Sequence, residues 1–269
     1  MNAPLQNMPV LMRDDADGVA TLTLNRPDKR NSLSMALLVA LQGELDAIRD
    51  DNSVRCVVIA ANGRGFCAGH DLTEMTARRS DEDGGREYYQ DLLVRCAAMM
   101  QSIVALPQPV IAKVHAGANA AGCQLVATCD IAVASDDATF GVNGINSGLF
   151  CSTPMVALSR KIAPNHALEM LMLGTIIDAR RAHEIGLVTR VAPRDQLTGA
   201  VDEVARLVVE KSPAVLALGK QAFYRQLTMP LDEAYRYTSG VITENLMMED
   251  AVEGICAFIE KRKPVWKDR

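Results

Sequence analysis

Two segments of this sequence place small residues where a chain would leave a buried strand and enter a helix: AGHD at 68–71 and GANAAGCQ at 117–124. Small side chains let a ligand approach the backbone, and the first N–H groups of a helix lack partners within it and sit in a favourable dipole. Two such donors aimed at one oxygen would form an oxyanion hole, which stabilises negative charge developing on a carbonyl. Tight helix–strand packing accounts equally well for either segment taken alone. Gln124 adds a polar amide where a buried helix would carry an apolar side chain.

Other chemistries lack their residues. The run NGRGFCAGHDL carries GxGxxxG, one residue longer than the dinucleotide fingerprint, and no acidic residue closes a second strand at the required distance. A phosphate-binding GxxxxGK, a zinc-binding HExxH and a nucleophilic GxSxG are all absent. His70, His115, His166 and His183 are scattered, so no metal site is expected.

The elements that must position the two segments are legible as patterns. PVLMR and VATLTLN flank the turn DDADG and predict an opening hairpin. Leu38, Leu41, Leu45 and Ile48 form one stripe of a helix over 35–50, with Ser34 as its cap. VRCVVIAA at 54–61 is a continuous apolar run of the kind found in buried parallel strands. Residues 74–89 mix both charge signs with paired glycines and read as a solvated, mobile loop. A helix over 90–105, a strand in PVIAKVHA, the small-residue helix and a strand in DIAVAS complete an alternation that predicts an α/β fold with right-handed crossovers. Beyond 152 the pattern is almost wholly helical, over 153–174, 178–186, 194–211, 214–227, 231–248 and 250–262.

Composition sets the outer bounds. At 269 residues, 49% hydrophobic and 23% charged, the chain suits one large domain without repeats or a long linker. No apolar run approaches the ~18 residues of a membrane helix. The start, MNAPLQNMPVLMRDDADG, lacks the basic-then-apolar order of a leader, so a cytoplasmic protein is expected. The seven cysteines form no CxxC pair and read as small buried hydrophobes of a reducing compartment. A net charge of −5 gives no general attraction to nucleic acid, so an anionic ligand must be held by local basic clusters.

LNRPDKRNSLS (24–34), GRGFCAGHDLTEM (63–75), CQLVATCDIAVAS (123–135), ATFGVNGINSGL (138–149) and EGICAFIEKRKPVW (253–266) follow in order the landmarks of the crotonase superfamily, the enoyl-CoA hydratase/isomerase family. The resemblance spans about nine-tenths of the chain, and NSGLFCSTP (146–154) is similar to the enoyl-CoA hydratase domain-containing 3 branch. It implies a crotonase-like ββα spiral core over 1–200 and a helical trimerisation region over 201–269. It further implies an acyl-CoA thioester ligand, no cofactor beyond the coenzyme A of the substrate, and a homotrimer or dimer of trimers.

Carried over residue by residue, the resemblance implies that the thioester carbonyl is held by the backbone N–H groups of His70 and Ala121. Backbone donation survives the change from the usual glycine at the second place. The His70 imidazole is an addition, available as an acid or base. Coenzyme A is expected near the RPDKRNS loop and Ala68 and Asp71, with Lys29 and Arg30 as phosphate partners; Lys261, Arg262 or Lys263, of the same or a neighbouring subunit, would reach the 3′-phosphate. Asp71 matches an acid that fixes the loop.

The departures from the family carry as much information. Hydratases of the family use two glutamates, and these fall on Gln124 and Gly144 here. An amide cannot accept a proton at physiological pH, though its oxygen can orient a water. Each positioned acid or base contributes roughly 10² to 10⁴-fold, so ordinary hydration is expected to be weak or absent. The isomerases rely on the second place, Gly144, or on an acid further along, whose nearest position is Ser152. Three readings follow. The acid/base group lies elsewhere (His70, Cys151, Ser152 or Thr153, with Asn119, Asn143 and Asn146 orienting). Alternatively, substrate carboxylate, bicarbonate or water supplies the base, or the protein binds acyl-CoA without catalysis.

Overall fold

The computed structural model describes residues 8–269. The reading of the first seven residues as lacking a leader lies outside it. Strands β1 (Leu11–Ala16) and β2 (Val19–Leu24) pair antiparallel in register from Leu11↔Leu24 to Ala16↔Val19. The turn is therefore shorter than DDADG: Asp14 and Asp15 extend β1, and only Asp17 and Gly18, both with positive φ, reverse the chain. Alternate residues of β2, Ala20, Leu22 and Leu24, are buried.

Helix α1 (Met35–Arg49) starts where the Ser34 hydroxyl accepts from the Leu37 N–H at 3.2 Å, and it buries Leu37, Leu38, Leu41, Leu45 and Ile48. It returns the chain to β3 (Cys56–Ala61), which runs parallel to β2. The 74–89 segment is not the open loop its composition predicts. It folds as α2 (Leu72–Ala77), a 3₁₀ turn (Arg78–Ser80) and the first turn of α3 (Arg86–Ala105), and only 81–85, with the paired glycines, remain an irregular turn. The Tyr89 hydroxyl donates to the Met75 carbonyl at 3.0 Å and ties the two helices together, a tertiary contact that outweighs local polarity.

The chain continues through β4 (Val110–Val114), β5 (Ala118–Asn119), α4 (Ala121–Thr128), β6 (Ile131–Ser135) and β7 (Thr139–Gly141). Then come α5 (Ser152–Lys161), α6 (Pro164–Leu173), β8 (Ile176–Asp178), α7 (Ala179–Glu184) and β9 (Arg190–Ala192), followed by α8 (Leu197–Val209), α9 (Pro213–Gln226), α10 (Leu231–Met247) and α11 (Glu249–Glu260). The single helix expected over 153–174 breaks at Ile162–Ala163, because a residue before proline is pushed into extended backbone and Pro164 opens the next helix. The short β8 and β9 interrupt the helical tail, being too brief for any period to show.

The main sheet has the order β1-β2-β3-β4-β6-β9, parallel throughout except for β1, and the small sheet has the order β5-β7-β8. One face of the main sheet packs the large apolar core around Leu22, Phe66, Leu125 and Phe140. The other packs Cys56, Val58, Ile111 and Val133 against Leu197, Val201, Val204 and Ala205 of α8. Residue 200 therefore falls inside a helix that covers the sheet, and the helices clear of it begin with α9. Six cysteines are buried, Cys256 is exposed, and all seven are free. Because β2, β3 and β4 are parallel, the loops that follow them emerge at one edge, where both small-residue segments lie.

Candidate active site

The two segments are stapled together. Phe66 N–H donates to the Gly117 carbonyl at 3.0 Å, Asn119 N–H to the Cys67 carbonyl at 2.8 Å, and Ala120 N–H to the Gly141 carbonyl at 2.8 Å. A side chain at 122 is impossible, since its Cβ would stand 2.1 Å from the Cys67 carbonyl oxygen. Gly69, at φ +96°, presses against the other segment: a Cβ there would fall 2.9 Å from Ala120 Cβ and 3.4 Å from the Ala121 nitrogen. The sequence had to be small here because two backbones meet.

That contact leaves two donors free. Leu33 forms a parallel bridge with His70, donating to the Gly69 carbonyl at 2.7 Å and accepting from the Asp71 N–H at 3.2 Å, so the His70 N–H points away from Leu33. Ala121 opens α4, where the first N–H has no partner in the helix. Among the described residues neither N–H donates to any group. Ala120 sets the entry angle at φ 48°, ψ −117°, a region that costs a residue with a side chain on the order of 1–3 kcal/mol.

The half-buried His70 ring has no partner at either nitrogen among the described residues. Burial lowers its pKa, opposed by the backbone of Leu33, so the imidazole is neutral at pH 7. Gln124, one turn into α4, is 5% exposed, and its Oε1 also lacks a donor. Asn119 Oδ1 shares that condition. Buried polar atoms in folded proteins are partnered in the large majority of cases, so this concentration marks a place built for a ligand or water.

Gly144 lies in a 3₁₀ turn (Asn143–Ser147), where its carbonyl accepts from the Leu149 N–H at 3.0 Å. Cys151 is buried; burial raises its thiol pKa, opposed by the Gly144 backbone, and keeps it protonated. Ser152 is exposed and its hydroxyl donates to the Phe150 carbonyl at 3.3 Å. Asn146 spends its amide on the Gly174 carbonyl at 3.1 Å.

Asp71 is committed within the protein. It caps α2 by accepting from Thr73 and Glu74 N–H at 3.1 and 3.3 Å and pairs with Arg26 at 2.8 Å. Burial raises its pKa, but Arg26 and these N–H groups outweigh it and hold the carboxyl below its usual range. Lys29 and Arg30 are exposed and form no ion pair among the described residues, beside exposed Ala68, whose N–H donates to the Arg30 carbonyl at 3.0 Å. Lys261 and Lys263 stand elsewhere. Arg262 between them pairs with Glu253 and Glu260 at 2.5 and 2.6 Å, and the following segment reaches Arg55 through Asp268 at 3.8 Å. Arg55 precedes β3 and the Lys29 loop packs where β3 ends, so one chain does not bring the two basic groups together.

Two residues of the site escape sequence reasoning. Asn31, fully buried with φ 54°, accepts from Arg26 N–H at 2.8 Å and donates to the Asn62 and Gly65 carbonyls at 2.7 and 2.8 Å. Arg26 donates to the Ser32 carbonyl at 2.6 Å as well as to Asp71. The one available signal is a polar amide four residues before the apolar helix α1.

A cleft of about 740 Å³ lies to the side, lined by Arg78, Asp81, Glu82, Asp83, Glu87, Tyr88 and Asp91. It is anionic and none of its lining residues belongs to the two stapled segments.

The parallel sheet, the spiral of strand and helix and the paired donors define a crotonase fold, and solved structures agree. The chain resembles an enoyl-CoA hydratase from Mycobacterium smegmatis with a TM-score of 0.92 and 48% identity, covering 96% of this chain and 99% of that one. It resembles human enoyl Coenzyme A hydratase domain-containing protein 3 with a TM-score of 0.90 and 43% identity, covering 96% of this chain and all of that one. The mitochondrial enoyl-CoA hydratase domain-containing protein 3 of Xenopus laevis is 44% identical over 262 residues, 97% of this chain and 87% of that protein. The sequence model of the Enoyl-CoA hydratase/isomerase family matches residues 14–269, and the chain belongs to that family. Among the described residues no helix is long and apolar enough to cross a membrane.

Proposed function

We propose that the protein binds an acyl-CoA thioester with its carbonyl oxygen between the N–H groups of His70 and Ala121, and that it acts by stabilising the enolate formed when the α-proton leaves. The observation that carries this reading is the pair of unpartnered backbone donors where the two segments meet. Removing one such donor costs roughly 3–4 kcal/mol of transition-state stabilisation in comparable sites. Neutral His70 is the proposed base: it takes the α-proton and, as the imidazolium, returns it to the same carbon or exchanges it with solvent, which restores the neutral ring. No cofactor beyond the coenzyme A of the substrate enters this scheme.

Ordinary hydration is weak in this reading, because Gln124 is not a base and Gly144 offers none. Incubation of a thioester panel in deuterated water tests the proposal. Exchange of the α-protons supports it, and a crotonyl-CoA hydration rate equal to that of a two-glutamate relative overturns the expectation of weak hydration. The second reading, acyl-CoA binding without turnover, draws on the space around Gly144, which admits no carboxylate. Tight binding with no exchange would favour it.

The assembly is proposed as a homotrimer or dimer of trimers. Helices α10 and α11 expose Leu231, Tyr235, Met247, Phe258 and Ile259, an apolar face that a neighbouring subunit would bury. Such a neighbour would also bring Lys261 and Lys263 towards a Lys29–Arg30 loop. The reducing setting suggested by seven free cysteines fits a cytoplasmic protein.

A further inference from the structure

Leu33 and His70 meet edge to edge, and both sides of that bridge are held by one side chain. Leu33 N–H donates to the Gly69 carbonyl at 2.7 Å, and the Leu33 carbonyl accepts from the Asp71 N–H at 3.2 Å. The residues flanking His70 are thus fixed to Leu33, and the direction of the His70 N–H follows from theirs. Arg26 reaches both partners. Its Nη1 donates to the Ser32 carbonyl at 2.6 Å and to the Ser32 hydroxyl at 3.3 Å, one residue before Leu33. Its Nη2 donates to Asp71 Oδ2 at 2.8 Å, one residue after His70. A planar guanidinium holds two diverging acceptors at once in a fixed geometry, which an ammonium on a flexible stem does not.

The guanidinium stands on a fixed base. Arg26 N–H donates to Asn31 Oδ1 at 2.8 Å and the Arg26 carbonyl accepts from the Asn31 N–H at 2.9 Å. The fully buried Asn31 amide is in turn anchored on the Asn62 and Gly65 carbonyls at 2.7 and 2.8 Å. The ion pair itself is shielded, with side-chain exposures of 18% for Arg26 and 8% for Asp71, so solvent and salt weaken it less than a surface pair. The second donor is aimed separately, through the Ala120 bond to the Gly141 carbonyl at 2.8 Å.

Resting on the thioester reading above, we propose that Arg26 is a positioning residue: it aims the His70 N–H at the thioester carbonyl through Ser32 and Asp71, without touching the ligand. Loss of the guanidinium leaves the Leu33–His70 bridge on its own two hydrogen bonds and lets the donor drift. A displacement of about 1 Å at a reacting centre costs about 10²-fold in rate.

Infrared difference spectra of bound butyryl-CoA, labelled with ¹³C at the carbonyl, read the donors directly, because a hydrogen-bonded carbonyl stretches at lower frequency than a free one. Full-length wild type, Arg26→Met and Arg26→Lys are compared at saturating ligand, with Kd from calorimetry and α-proton exchange in deuterated water. The wild type is expected to lower the stretch. Arg26→Met should give up about half of that shift, one donor of two, and slow exchange by about tenfold or more. Its Kd should change by less than about threefold, since a group that acts in the transition state shows in the rate at saturation. Arg26→Lys keeps the charge and should fall between the two; it carries the comparison alone where circular dichroism shows Arg26→Met unfolded. A carbonyl shift and exchange rate preserved in the folded variants, with or without weaker binding, overturn the positioning role and leave thioester binding in place. Absence of any shift in the wild type, or failure of the CoA thioester to bind, overturns the paired-donor reading itself and the role of Arg26 with it.

Discussion

Gly144 and Cys151 compete for one volume. A Cβ on Gly144 would fall 2.8 Å from Cys151 Sγ and 2.5 Å from the Leu149 carbonyl oxygen, so the thiol and the loop stand where a side chain at 144 would have to go. Any side chain at 144, a carboxylate included, is thus excluded by the path of the chain. Gly144→Ala is expected to destabilise the fold by about 1–3 kcal/mol through overpacking. Adding Cys151→Gly should recover part of that loss, since it relieves the sulfur contact and leaves the carbonyl contact. Urea unfolding of the two single variants and the double variant gives the coupling directly. Strict additivity would show that the two residues do not share the space.

Introducing carboxylates at 124 and 144 should show the same asymmetry. Gln124→Glu places an acid in a position already occupied by an amide of the same shape, so the variant is expected to fold, to bind CoA thioesters and to gain crotonyl-CoA hydration by at least about tenfold. Gly144→Glu should fold poorly and gain nothing. A hydration assay that found Gly144→Glu the more active of the two would contradict the packing around Leu149 and Cys151.

The legible part of this protein follows from how close its backbones come. Two chain segments in contact require small residues, and smallness is visible in AGHD and GANAAGCQ without knowledge of the fold. The roles of Asn31 and Arg26 were hidden, because their partners, the carbonyls of Asn62 and Gly65 and the carboxylate of Asp71, are remote in sequence and leave no periodic trace. The charged 74–89 stretch misled for a related reason: Tyr89 anchors a helix there by one long-range hydrogen bond that composition cannot record. The obstruction of Gly144 by Cys151 arises in an irregular loop, where neither helix nor strand spacing applies.

Acid should weaken the site in two stages. His70 titrates near its ordinary 6.5 when unfolded, and burial lowers that value in the native state. Below about pH 6.5 the unfolded chain takes up a proton that the native chain refuses, so stability falls with pH until the folded pKa is passed. Asp71 contributes above its ordinary 3.8 and loses its contribution as pH drops through the lower folded value. Urea unfolding between pH 7 and 5 should therefore show a slope in the wild type that flattens in His70→Phe. Parallel slopes in the two proteins would remove burial of neutral His70 from the account.

Ala120 holds a backbone conformation suited to glycine, at φ 48°, ψ −117°, at the point that aims the Ala121 N–H. Ala120→Gly relieves strain on the order of 1–3 kcal/mol but adds freedom to the unfolded chain, a cost of about 0.4–1 kcal/mol. A net gain of about 1 kcal/mol is expected in urea unfolding. The same freedom loosens the donor, so α-proton exchange should slow even as the fold becomes more stable. A variant that was less stable and equally active would show that the turn carries no stored strain.

Helix α9 meets the core at a buried carboxylate. Asp130 Oδ2 accepts from Lys220 Nζ and from Val110 N–H, both at 2.7 Å, while Oδ1 accepts from the Tyr224 hydroxyl at 2.9 Å. Lys220 also donates to the Ile103 and Gln108 carbonyls at 3.0 Å, which satisfies the ammonium on every side. Burial, reinforced by the Asp130 charge, raises the Tyr224 pKa and keeps it a donor. Removing one partner of a buried pair strands the other, and such losses run to about 3–5 kcal/mol. Lys220→Met is expected to lose stability on that scale, and Lys220→Met combined with Asp130→Asn should recover part of it by neutralising the orphaned carboxylate. If α9 serves mainly to carry α10 and α11 to a neighbouring subunit, the single variant should also dissociate at lower dilution in light scattering. A variant that kept both full stability and its oligomeric state would show that α9 is held by its apolar contacts alone.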